Sequence, residues 1–102
     1  MSLASNTAST DAQETASLEQ RALEKLARAL CSQTQQLALA ARTRGALGSR
    51  EAGLQSEVFA ERQAQVMSLL GTAAAPVDEP RMARLERLIE GIRFSRHFFM
   101  NV

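Results

Sequence analysis

The chain has 102 residues, with 12 Lys and Arg against 11 Asp and Glu, and a net charge of +1, so no overall field draws it to nucleic acid or to an anionic membrane. Apolar residues make up 45% and aromatics only 4%, with Ala and Leu dominant, a balance that favours helices and disfavours sheet. The one cysteine, Cys31, cannot form an internal disulfide, and no apolar run approaches the ~20 residues of a membrane span, so the expected location is the cytoplasm.

The first stretch, MSLASNTASTDAQET, lacks the basic and apolar regions of a secretory signal and reads as a mobile Ser/Thr/Ala tail over residues 1–14. Next, Leu18, Ala22, Leu23, Leu26, Leu30, Leu37 and Ala41 recur at three- and four-residue steps and predict a helix over 17–44. Two pairs, Thr10 with Gln13 and Ser17 with Gln20, have the spacing of a capping box for its start. Its end is set by Gly45 in a left-handed conformation, with Arg42 and Arg44 facing the negative end of the helix dipole. Cys31 falls off the leucine stripe, whereas Gln33 and Thr34 interrupt it.

The segment RGALGSREAG is a turn, and Ser49 caps a second helix over 50–70 with Leu54, Val58, Phe59, Val66, Leu69 and Leu70 on one broad face. Gly71 closes that helix, and TAAAPVDEP follows as a linker containing Pro76 and Pro80. Asp78 or Glu79 then caps a third helix over 80–100, with Pro80 in its first turn and a stripe of Met82, Leu85, Leu88, Ile89, Ile92 and Phe99. Together these elements predict a single all-α domain over 15–102: a long antiparallel helical hairpin with a third C-terminal helix packed across it.

Three of the four phenylalanines lie in the last nine residues, FSRHFFMNV. Phe94 and Phe98 are four residues apart and point away from the stripe that holds Ile92 and Phe99, so one neighbour cannot cover both sides of the helix. Ile92, Phe94, Phe98, Phe99 and Met100 are therefore the candidate partner-binding residues, their partner another protein or a second copy of the chain.

No constellation suits catalysis. His97 is the only histidine and has no Cys, Asp or Glu spaced with it for a metal or a nucleophile, so neither cofactor, metal nor small-molecule substrate is expected. The carboxylate pairs Glu57 with Glu61 and Glu86 with Glu90 lack inward histidines and read as solvated faces. Gly45 to Ser49 lacks the lysine and preceding strand of a phosphate loop. The alternative reading rests on Arg81, Arg84, Arg87, Arg93 and Arg96, which make the third helix the most basic element and would suit a small regulator at nucleic acid or a membrane surface.

The stretch Leu23 to Leu70 has a long helix, the pair Ala46-Leu47 before a short polar turn, then Leu54 and the basic-Gln pair Arg62-Gln63. In these features it resembles the helical hairpin of flagellar hook-associated-protein export chaperones. The resemblance implies a cytoplasmic chaperone whose C-terminal amphipathic helix clasps a helix of a secreted client, with Ile92 to Met100 as the clasp. Small co-chaperones of needle-type secretion systems share that architecture.

Overall fold

The computed structural model describes the backbone of residues 2–71 and 79–102 and the side chains of residues 18–71 and 79–102. It consists of three helices, α1 (Ser2–Thr43), α2 (Arg50–Gly71) and α3 (Glu79–Asn101), and no strand is present among the described residues. The linker reading of residues 72–78, including Pro76 and Asp78, lies outside the described residues.

The first turn forms as its residue types require. Gly45 has φ of 75°, the Gly45 amide donates to the Arg42 carbonyl at 3.0 Å, and the Ala46 amide donates to the Ala41 carbonyl at 2.8 Å. These two bonds make a Schellman motif, in which only glycine takes the left-handed position without strain. Ser49 Oγ then accepts from the Ala52 amide at 3.1 Å and caps α2.

The other end of α1 departs from the expectation. The helix begins at Ser2 and not at Ser17, taking in the segment read as a tail. Residues 1–44 contain neither Gly nor Pro and are rich in Ala and Leu, so nothing in the backbone interrupts the helix once it is nucleated. Ser17 and Gln20 are therefore interior positions, and Gln20 Nε2 donates sideways to Glu24 Oε1 at 3.0 Å.

Helix directions follow from the pairings. Gln63 bonds Gln35, Phe59 meets Phe99 and Arg62 reaches Gly91, so α2 runs antiparallel to both its neighbours. Leu23 and Leu26 share a groove with Met82, and Gln33 accepts from Arg96, so α3 runs parallel to α1. The third helix does not cross a closed hairpin. It lies lengthwise against both partners, while α1 and α2 touch each other at few positions. One contribution is side-chain size: the inward line of α3 is Leu85, Leu88, Ile89, Ile92 and Phe99, all large, and the buried line of α1 is mostly small, Ala27, Cys31, Thr34 and Ala41 beside Leu30. Large side chains take the centre and small ones receive them.

That arrangement turns α1 relative to its leucines. Leu30 and Ala41 of the expected stripe are buried and Leu23 and Leu37 pack against the core, but Leu18 and Ala22 are exposed and Leu26 is at the edge of exposure, whereas Ala27, Cys31 and Thr34 are fully buried. On α2 the core is Ala52, Phe59, Val66 and Leu70, with Leu69 partly covered, Val58 half-buried and Leu54 exposed. The stripe of α3 matches its expectation, with Ser95 added and Met82 half-buried. The molecule is a rod of 67 × 17 × 17 Å. At the standard rise α1, with 42 residues, spans about 63 Å of it, and α2 and α3 each about half as much.

Gly91 is a contact point between α2 and α3. Its carbonyl accepts from Arg62 Nη1 at 2.9 Å and from Ser95 Oγ at 3.3 Å, and a Cβ placed on it would lie 2.7 Å from Arg62 Nε. Gly91→Ala should therefore destabilise the protein by roughly 0.5–1 kcal/mol, because displacing the charged donor outweighs the better helix propensity of alanine. In an Arg62→Ala background the same change should stabilise by roughly 0.5–1 kcal/mol. Urea denaturation of the four proteins tests this; one sign in both backgrounds would refute the contact.

Candidate functional site

The last turns of α3 carry the five candidate partner-binding residues, and the fold separates them. Ile92 is fully buried and Phe99 is 1% exposed, its ring edge-on to Phe59 at 6.1 Å and to Phe98 at 5.6 Å. Both belong to the protein's own core and offer no surface to a partner in this fold. Phe98 is half-buried and packs against that core. Phe94 and Met100 face outward, 58% and 61% exposed.

The helical period explains the division. Phe94 lies about 200° around the helix from Ile92, so the side of α3 that faces α1 and α2 turns Phe94 to solvent. Val102, four residues beyond Phe98, continues the partly exposed apolar line to the end of the chain. Nearer the start of α3, away from this end, α1 and α3 leave a shallow depression lined by Leu23, Leu26, Ala83, Glu86, Ile89 and Glu90. Sequence reasoning missed the depression, because no local pattern links Leu26 to Ala83.

The basic residues of α3 do not converge. Arg81 donates to the Leu69 carbonyl and Arg96 Nη1 to Gln33 Oε1 at 3.2 Å, so both are used within the fold. Arg84 and Arg87 are exposed and about 60° apart around the helix, but Arg93 is about 180° from Arg84 and about 120° from Arg87, and Glu86 and Glu90 are exposed among them. No continuous basic stripe of the kind that tracks a phosphate backbone results.

The remaining candidates for chemistry divide between the core and the exposed surface. Cys31 is 1% exposed and burial pushes its thiol above the ordinary range, the opposite of an activated nucleophile. The carboxylates of Glu57, Glu61, Glu86 and Glu90 all belong to exposed residues. His97 is exposed, and its carbonyl accepts from Asn101 Nδ2 at 2.7 Å. No group of three or more His, Cys, Asp or Glu able to hold a metal occurs among the described residues, and no described helix is long and apolar enough to cross a membrane.

Comparison with family models, curated proteins and solved structures gives no match. The residues that carry the chaperone resemblance have ordinary places in the bundle. Leu47 packs against the core after the Schellman turn, Leu54 is exposed, Arg62 lies over Gly91, and Gln63 donates to Gln35 at 3.1 Å.

Proposed function

We propose that this chain is a non-enzymatic protein-binding domain of the cytoplasm, acting as an export chaperone or adaptor that holds a partner helix against the outward face and tip of α3. The observation that carries the reading is Phe94. A phenylalanine 58% exposed on the solvent side of a helix, followed by half-buried Phe98 and exposed Met100, is uncovered apolar surface at a rigid element. A depression against α1 nearer the start of α3 adds concave relief along the same helix, and an amphipathic helix seats its apolar side chains in such a surface. The separation of Arg93 from Arg84 and Arg87, with exposed Glu86 and Glu90 among them, disfavours the alternative of a nucleic-acid or membrane-surface regulator.

The test uses the full chain at its endogenous level in the native organism, beside a Phe94→Ser variant. A specific protein should co-purify with the wild type and be lost with the variant, while the thermal midpoint of the variant stays unchanged. Retention of the same proteins by both would refute the reading.

A further inference from the structure

The outward face of α3 has an internal symmetry. Ala83, Arg87, Glu90 and Phe94 are all exposed, and at 100° per residue they fall within a sector of about 60°, with Ala83, Arg87 and Glu90 bordering the depression beside α1. Along the helix they are arranged as two nested pairs about the level of the Leu88–Ile89 peptide bond. Arg87 and Glu90 are the inner pair, cation against anion, and Ala83 and Phe94 the outer pair, small against large.

We infer that this face binds a second copy of the chain, α3 against α3 in antiparallel order about a twofold axis at that level. The inference rests on the proposal that the outer face of α3 is a binding surface, and it names the occupant. Such an axis sets Arg87 against Glu90 of the partner subunit, and Glu90 against Arg87 of the partner subunit. It also sets each Phe94 over Ala83 of the partner subunit, at the depression whose lining includes Leu26 and Ile89. A foreign helix would need complementary charge but no such symmetry. A surface whose cation meets its own anion, and whose largest side chain meets its own smallest, is complementary to itself. The contact is isologous, so it closes at two copies. One helix-on-helix seam is at the small end of stable interfaces, and the dimer should therefore dissociate in the micromolar range.

Sedimentation equilibrium of the full chain from about 1 µM to about 1 mM tests the pairing. The wild type should approach twice the monomer mass. Arg87→Glu alone and Glu90→Arg alone should each weaken association at least about tenfold, since every reversal replaces two attractive pairs with two repulsive ones. The two single variants mixed in equal amounts should form a heterodimer, and the double reversal Arg87→Glu with Glu90→Arg should restore the homodimer. Both positions are exposed, so circular dichroism should show every variant folded. A wild type that stays monomeric throughout, or reversals that leave association unchanged or are not rescued by each other, would overturn the inference. A monomeric chain that still loses a co-purifying protein on Phe94→Ser would refute the self-pairing alone. A monomeric chain indifferent to Phe94→Ser would refute the surface reading as well.

Discussion

Phe99→Ala should destabilise the protein by about 3–5 kcal/mol, whereas Phe94→Ala should change stability by less than about 0.5 kcal/mol. The residues are five apart on one helix and chemically identical. Phe99 is 1% exposed between Phe59 and Phe98, so its removal loses the transfer energy of the ring and leaves a cavity that rigid helix backbones cannot close. Phe94 leaves only an open surface. Equal losses in urea denaturation would mean that the tip of α3 is not divided between core and solvent as described. Truncation after Gly91 is a poorer experiment, because it removes Ile92 and Phe99 from the core together with the exposed residues and should unfold the chain.

Thr34→Val should stabilise by about 1–3 kcal/mol. Thr34 is fully buried, and its Oγ1 has no hydrogen-bond partner among the described residues. A hydroxyl taken out of water without a partner carries its desolvation cost into the folded state, and valine has the same shape without the polar atom. The two residues have nearly equal helix propensities, so the backbone contributes little. A raised urea midpoint with an unchanged slope is the expected result; an unchanged or lowered midpoint would show that the hydroxyl is satisfied.

The fold was legible where the sequence carries explicit stop and start signals or large apolar residues. Gly45 and Ser49 marked the turn, and the stripe of α3 could be read because Leu85, Leu88, Ile89, Ile92 and Phe99 are large and regularly spaced. The start of α1 was not legible, since no breaker occurs there and a polar composition reads as a tail. Leu30 and Ala41 of its expected stripe are buried, but Ala27, Cys31 and Thr34 were not legible as core, because leucines draw attention away from smaller residues.

At the candidate site, spacing alone showed that Phe94 and Phe99 lie on different sides of α3. It did not show that Phe98 packs partly against the core, or that α1 contributes a wall beside Ala83. Those facts depend on the relative register of helices far apart in the chain, which no local pattern encodes.

The central position of α3 governs how the molecule comes apart. α1 and α2 each pack more closely on α3 than on one another, so docking of the last helix and completion of the core are one event. The protein should melt as a single cooperative unit, without a stable two-helix intermediate. A free peptide of residues 79–102 added to a fragment of residues 1–71 is then the natural complement that would bring back the native state.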